Sequence, residues 1–328
     1  MKKHKSKPKN IDFLMSSKNL SQYLYYKANE IAYFLLGRCH TAGIGPSEKL
    51  VREFRINIKK TASNSETSSK TWNENSQKVC ALVLTKNPEG FLRWPLIQYT
   101  MFVNNSPIII KEFNYLRHHK DWQHVWKKAI SEAKVGHPTP FILFPKSSPN
   151  LIHNAYHVAR FQDKLKVRIK DVNLVVEFGG GYGGLCRLFY NLGFNGTYVI
   201  FDLPVFSDLQ VFYLKMLGLN ASLDLNVQGI SCVSKISEVE QIINNVEEKK
   251  FFVATWSISE TPFSLRNTFL PLVQNFDLFL IGYQNQFQEF DNIDFFTKWS
   301  ESLKEIEWHN DETKTFQGNY YLFGQKKS

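Results

Sequence analysis

Val175-Val176-Glu177-Phe178-Gly179-Gly180-Gly181-Tyr182-Gly183-Gly184 is an apolar run that meets one acid and then breaks into glycines. Leu185, Leu188, Phe189 and Leu192 follow at helical spacing, and Gly193 supplies a stop. The pattern predicts a strand, a tight turn and a helix. Glycine lets the backbone take positive φ and lets a ligand approach the main chain closely. The helix start presents free N–H groups and a partial positive charge. A ligand part that is negatively charged or bears hydroxyls suits that place.

Two cofactor types can use such a turn. Gly179, Gly181 and Gly184 match the G-x-G-x-x-G dinucleotide pattern. Glu177, Gly179, Gly181 and Gly183 match E-x-G-x-G-x-G, which resembles the first motif of class I S-adenosylmethionine (SAM) methyltransferases. The glycines alone do not separate the two. Glu177 favours the second, because a carboxylate at the strand's end can meet a methionine ammonium through water and would repel a pyrophosphate.

Downstream, strands and helices alternate. Strand one is Leu174–Phe178 and strand two is Thr197–Phe201, which ends at Asp202. Leu203-Pro204 opens a helix, since proline suits the first turn, with Phe206, Leu209, Phe212, Tyr213 and Met216 as its apolar stripe. A third strand is expected within Ala221–Val227 and a helix over Ile236–Val246. A fourth strand follows at Phe251–Trp256, then a helix opened by Thr261-Pro262. The fifth strand, Phe276–Tyr283, is apolar except for Asp277, as for a strand buried on both faces. A helix over Phe290–Leu303 precedes two strands, Glu305–His309 and Tyr320–Gly324, joined by a polar stretch with no helix between them. The alternation predicts a doubly wound, mostly parallel α/β sheet. A helix-free final pair favours an antiparallel last strand over a further strand–helix unit.

Upstream, Leu20–Leu36 reads as an aromatic-rich amphipathic helix after the tail Lys2, Lys3, Lys5, Lys7 and Lys9, which is expected to be disordered over residues 1–10. Leu50–Lys60 fits a strand or a short helix, Thr61–Lys78 reads as a long polar loop, and Lys111–Lys134 as a helix or helix pair. Pro138, Pro140, Pro145 and Pro149 punctuate a connection. We divide the chain there, into a mainly helical N-terminal region, 1–149, that faces substrate, and a cofactor domain, 150–328. Asn150 is expected to cap the helix that runs to Leu165.

The chain has 328 residues, 43% hydrophobic and 15% aromatic, enough for a sizeable core. Its net charge of +10 permits an acidic partner without requiring one. Cys39, Cys80, Cys186 and Cys232 are scattered, with no CxxC or Cys/His cluster to suggest zinc. Such thiols fit a reducing cytoplasm. The basic N-terminus lacks the apolar core and cleavage site of a signal peptide, and no run of about 18 apolar residues predicts a membrane span.

The chemistry-bearing candidates lie at the carboxyl ends of the strands, where an open α/β sheet binds ligands. Asp202, about twenty residues after the turn, is placed to accept both hydroxyls of a ribose. Trp256-Ser257-Ile258-Ser259-Glu260 closes strand four. Trp256 can pack on a sugar or on the cofactor. Glu260 can act as a general base, bind a substrate hydroxyl, or sit favourably at the start of the next helix. His153 and His157 share one helix face four residues apart. They can chelate a metal, but no third ligand and no HEXXH accompany them. One of them can instead serve as base, since imidazole exchanges protons near neutral pH, or both can be packing residues. Tyr283, Gln284 and Asn285 can bond a polyhydroxyl substrate or form a plain polar loop. The Asn/Asp-Pro-Pro-aromatic tetrad of DNA amino-methyltransferases is absent after strand four.

Val175–Arg187 with Thr197–Pro204 resembles the class I SAM-dependent methyltransferases. The fuller run Glu177–Gly184, with Ile200-Phe201-Asp202-Leu203-Pro204, resembles the sugar O-methyltransferase family of bacterial surface-glycan gene clusters. The resemblance covers about the last half of the chain. It implies a Rossmann-like, seven-stranded methyltransferase sheet, mostly parallel with the last strand antiparallel. It implies SAM as cofactor, held by Glu177, Gly179, Gly180, Gly181 and Gly183, with Asp202 and Trp256 beside them. The implied reaction is methyl transfer to a hydroxyl of a sugar, nucleotide-sugar or glycan precursor, with His153 or Glu260 as catalytic base and no metal. Nucleic acid is not the expected partner, a homo-oligomer is permitted, and the cytoplasm is the expected location. The competing readings are an NAD(P)-dependent oxidoreductase using the same glycines and a non-catalytic binding protein on the same fold.

Overall fold

The structure, a computed structural model, describes Ile31 and residues 47–61, 70–103, 105–225, 228–313 and 317–327. Apart from Ile31, which is helical, the predicted helix Leu20–Leu36 and the basic tail lie outside the described residues. Among the described residues, the longer helices before the sheet region begin with α1 (Glu48–Thr61), α2 (Lys70–Thr85), α3 (Pro95–Met101) and α4 (Pro107–His118). A π-turn follows at Trp122–Trp126. Helix α5 (Pro149–Leu165) then leads into β1 (Leu174–Phe178).

The α/β alternation continues as α6 (Gly184–Asn191), β2 (Thr197–Phe201), α7 (Pro204–Met216), β3 (Ala221–Ser222), β4 (Ile230–Val233), α8 (Ile236–Asn244), β5 (Lys250–Thr255), α9 (Phe263–Val273) and β6 (Leu278–Gln284). A two-residue hairpin, β7 (Gln286–Phe287) with β8 (Phe290–Asp291), precedes α10 (Asn292–Ser302), β9 (Ile306–Glu312) and β10 (Asn319–Lys326). The main sheet has eight strands in the order β3-β4-β2-β1-β5-β6-β10-β9. β10 runs antiparallel between β6 and β9, and the pairs from β3 to β6 are parallel. This is the mostly parallel, Rossmann-like α/β sheet expected from the sequence, with the antiparallel strand inserted beside the fifth long parallel strand. The eighth strand is the two-residue edge β3.

Alternate residues of each strand face opposite layers. Val176, Phe178, Val199 and Phe252 pack with the α8, α9 and α10 side. Val175, Tyr198, Ile200 and Phe251 face α5, α6 and α7, and the N-terminal helices join this same apolar cluster. Phe54 of α1 stacks on Phe212 of α7 at 4.4 Å between ring centroids. Phe91 meets both Tyr182 of the glycine turn and Tyr213 of α7.

Several sequence expectations are corrected. The polar stretch Thr61–Lys78 is not all loop, because α2 begins at Lys70. Its buried apolar residues, Val79, Cys80 and Val83, lie beyond the stretch. Of the two readings of Leu50–Lys60, the helix is the one found, with Phe54 and Ile58 buried four residues apart. A short strand does lie within Ala221–Val227, but among the described residues of that segment only Ala221 and Ser222 pair, and the third long strand is Ile230–Val233. Four residues interrupted by Ser231 carry too little pattern to read as a strand. Asn150 does not cap α5. Ser148 does, its Oγ accepting from Leu151 N at 3.2 Å, with Pro149 in the first turn. Phe290 belongs to the hairpin, and Asp291 caps α10 by accepting from Asp294 N at 3.0 Å.

Candidate active site

The turn after β1 is built from glycines for two separate reasons. Gly179 has φ +73°, and a Cβ there would stand 2.3 Å from Ser257 Cβ, so the loop after β5 closes directly on the turn. Ser257 Oγ donates to the Phe178 carbonyl, which ties the two strand ends together. Gly181 has φ +57° and borders a cavity shared with Met101, whose Sδ an added Cβ would touch at 3.7 Å. That space is a cradle where a ligand can lie on the main chain.

Two acids flank the cradle. Glu177, 2% exposed, accepts from the Tyr198 hydroxyl at 2.8 Å. Burial pushes its carboxyl up to about 8, opposed by the tyrosine bond and assisted by the charge of Asp202. Asp202, half-buried, accepts from Leu203 N at 2.8 Å, Gly181 N at 3.2 Å and Gln210 Nε2 at 2.8 Å. Burial likewise raises it, to about 7, against these bonds. Gln210 Nε2 also donates to the Gly181 carbonyl at 3.0 Å, so one amide holds both the acid and the turn.

Opposite the cradle stands a wall of histidine and aromatic rings. His153 and His157 of α5 lie edge to face with centroids 4.0 Å apart, and Trp256 packs on both, at 5.8 and 5.1 Å. Trp256 sits at φ +63°, a backbone that a bulky residue adopts only when its surroundings hold it there. Its ring lies under Gly282, its N–H donates to the Gly282 carbonyl at 2.8 Å, and its indole N–H donates to Asn319 Oδ1 at 2.5 Å. His157, 1% exposed, bonds through Nδ1 to the Tyr321 hydroxyl. Burial first, and then His153, push its pKa well below the usual imidazole range, so it stays neutral. His153 bonds through Nδ1 to both oxygens of Glu112, at 2.8 and 3.0 Å.

Glu260 ends the loop after β5, with burial raising its pKa against hydrogen bonds from the Trp72 and Gln284 side chains. Its loop is held by Arg266, which is fully buried and donates to the carbonyls of Ser259 and Thr261 at 2.7 and 2.8 Å and to Asn292 Oδ1 at 2.7 Å. Four phenylalanine rings, of Phe263, Phe290, Phe295 and Phe296, surround its guanidinium.

One cavity of about 1490 Å³ joins all of this. The glycine turn, Glu177, Asp202, Trp256, His153 and Glu260 line it together, so residues separated by more than a hundred positions share one space. Its far wall, Leu96, Met101, Phe102, Val103 and Ile108, comes from the N-terminal helices and is largely apolar. Single-ligand pockets typically fall between about 300 and 1,000 Å³, so this one has room for two molecules side by side. Tyr283 lies apart from it, fully buried and bonded to Asn310.

The residues present fit a nucleoside that carries an amino acid. The cradle at Gly181 admits a main-chain contact, Glu177 has no cation partner among the described residues, and Asp202 offers a carboxylate to a diol. In the present arrangement Gln210 and Gly181 N occupy one Asp202 oxygen, so a diol would share or displace the Gln210 amide. Glu112 is absent from the sequence reading. The signal for it was an acid at the third position after Ile109 and the fourth before Leu116, on the buried stripe of α4.

No protein-family model matches the chain, and no curated protein matches it in sequence. Solved structures do match. A precorrin-6y C5,15-methyltransferase from Geobacter metallireducens shares 12% identity, over 52% of this chain and 87% of its own, with a TM-score of 0.33. A fibrillarin pre-rRNA processing protein from Methanococcus jannaschii shares 10%, over 49% and 70%, at 0.34. MtNAS, solved in complex with MTA and tNA, shares 10%, over 85% and 97%, at 0.36. No helix among the described residues is long and apolar enough to cross a membrane.

Proposed function

We propose that this chain is a SAM-dependent O-methyltransferase. One observation carries the reading: a glycine turn flanked by Glu177 and Asp202 opens into the same cavity as the oriented imidazole of His153. Glu177, Gly179, Gly180, Gly181, Gly183 and Asp202 would hold the cofactor, which when bound supplies an electrophilic methyl on a positively charged sulfur. Asp202 accepts the ribose hydroxyls, and Glu177 answers the amino acid's ammonium.

The remaining groups act on the acceptor. An alcohol is a weak nucleophile at neutral pH, and a positioned base is worth about 10²–10⁴-fold. His153 takes the acceptor's hydroxyl proton on Nε2 and later returns it to solvent. Trp256 stacks behind it and offers an aromatic face to the acceptor. Glu260 already accepts from Trp72 and Gln284, which suits it to orienting a second hydroxyl rather than to removing a proton. The finer acceptor reading, a sugar or glycan precursor, draws on the sequence resemblance and on the Trp256 face beside several hydroxyl-binding groups. The largely apolar far wall favours an acceptor that also carries an apolar portion.

Isothermal titration with S-adenosylhomocysteine tests the cofactor assignment. Wild type should bind, and Asp202→Ala should weaken binding by about 100-fold or more, as expected for lost charge-assisted hydrogen bonds. Binding of NADH in place of S-adenosylhomocysteine, or an unchanged Kd in the variant, would overturn it.

A further inference from the structure

The N-terminal helices contribute more than a wall. Glu112 is 1% exposed in the middle of α4, and its carboxylate makes no other hydrogen bond among the described residues than the one to His153. A buried carboxylate is costly unless something compensates it. Here both of its oxygens converge on one ring nitrogen, which fixes the ring's orientation and identifies that nitrogen as the proton carrier. The other nitrogen, Nε2, has no protein partner among the described residues, and the ring borders the cavity.

We infer that Glu112 is the positioning residue for His153: it accepts the Nδ1 proton, holds the tautomer with a bare Nε2, and presents that nitrogen to the acceptor side of the cavity. The inference rests on the reading of His153 as base and adds the group that prepares it. The geometry also stabilises the product of proton removal. Once Nε2 takes a proton, the positive ring lies 2.8 Å from a carboxylate in a site of low polarity, where the attraction is strong. The groups facing the ring are Glu112 from α4, His157 from the same helix and Trp256 from the loop after β5, with Tyr321 of β10 behind His157. His157 stays neutral and does not oppose the charge. The arrangement separates two histidines that the sequence presents alike. His157 is 1% exposed and locked to a tyrosine, whereas the His153 side chain keeps 18% of its surface exposed where it borders the cavity.

Nitrogen-15 NMR of the histidine side chains in the full-length protein, without added ligand, reads the tautomer directly. His153→Gln assigns the signal. Wild type should show the neutral ring protonated on Nδ1. Glu112→Leu, and the milder Glu112→Gln, should lose that fixed state, and Glu112→Asp should restore it in part. S-adenosylhomocysteine binding should stay within about threefold in each folded Glu112 variant, because the Glu112 carboxylate bonds His153 and none of the glycine-turn residues. A wild-type ring protonated on Nε2 overturns the inference, and so does an unchanged signal in Glu112→Leu. The wild-type measurement stands even if a variant fails to fold. Absence of S-adenosylhomocysteine binding by wild type overturns the cofactor reading alone, because the tautomer is measured without it.

Discussion

Glu177 is a carboxylate sealed under a glycine turn with one hydroxyl as its partner, and this makes its ionisation a matter of stability. In the unfolded chain it ionises near 4.5, and in the folded protein near 8. Between those values the folded state holds a proton that the unfolded state has released, so stability falls as pH rises through that window. The slope from one such group is at most about 1.4 kcal/mol per pH unit. Glu177→Gln keeps the shape and an acceptor for Tyr198 and should flatten this part of the curve. Urea midpoints measured from pH 5 to 8 on both proteins would show it, and parallel curves would refute it. Asp202 is raised in the same direction, so the variant should retain a shallower slope rather than none. A bound ammonium would reverse the preference of Glu177, so ligand binding should release protons.

At the scale of elements, α6 is anchored to the N-terminal half by a buried ion pair. Arg187, 6% exposed, bonds Glu132 and donates to the Ser131 carbonyl at 2.8 Å. Glu132 in turn accepts at 2.5 Å from Ser148, the residue that caps α5. Arg187→Met leaves Glu132 without its cation and should cost about 3–5 kcal/mol, whereas the double variant Arg187→Met/Glu132→Gln should recover much of that loss. Equal losses in the two variants, measured by urea unfolding, would show that the pair is not coupled. The elements that were legible from sequence were those with long, regular patterns. The β1–turn–α6 unit, β2 with Asp202, and the antiparallel ending could all be read, because period and punctuation coincide there. α2 was hidden because its first half carries Asn73, Asn75 and Ser76 in place of an apolar stripe. Within the site, the glycine turn and its two acids could be located, since their spacing along the chain is fixed by one strand–turn–helix and the next strand. The pairing of Glu112 with His153 could not, because it joins residues 41 apart across two helices and depends on packing that no local pattern records.

For the molecule as a whole, the N-terminal helices and the sheet share one apolar cluster on one face. Phe54 and Phe91 bury themselves against α7 and Tyr182, so neither side has a complete interior alone. Unfolding of the full chain should therefore be a single transition, coincident by tryptophan fluorescence and by far-ultraviolet circular dichroism. A fragment of residues 150–328 should bind a hydrophobic dye and lose its sharp transition. A fragment that melts cooperatively without binding dye would show that the sheet region is self-sufficient.

β10 lies inside the sheet although it is made after every strand it touches. Among the described residues, β9 joins the sheet only through β10, which pairs with β9 on one side and β6 on the other. β10 also carries Tyr321 and Asn319, the partners of His157 and Trp256. During synthesis the glycine turn after β1 and Asp202 after β2 are translated well before Tyr321 and Asn319, which fasten the ring wall. Pairings so distant along the chain are slow to close. The order of assembly is thus imposed by strand position: the glycine-turn side first, the histidine–tryptophan side last.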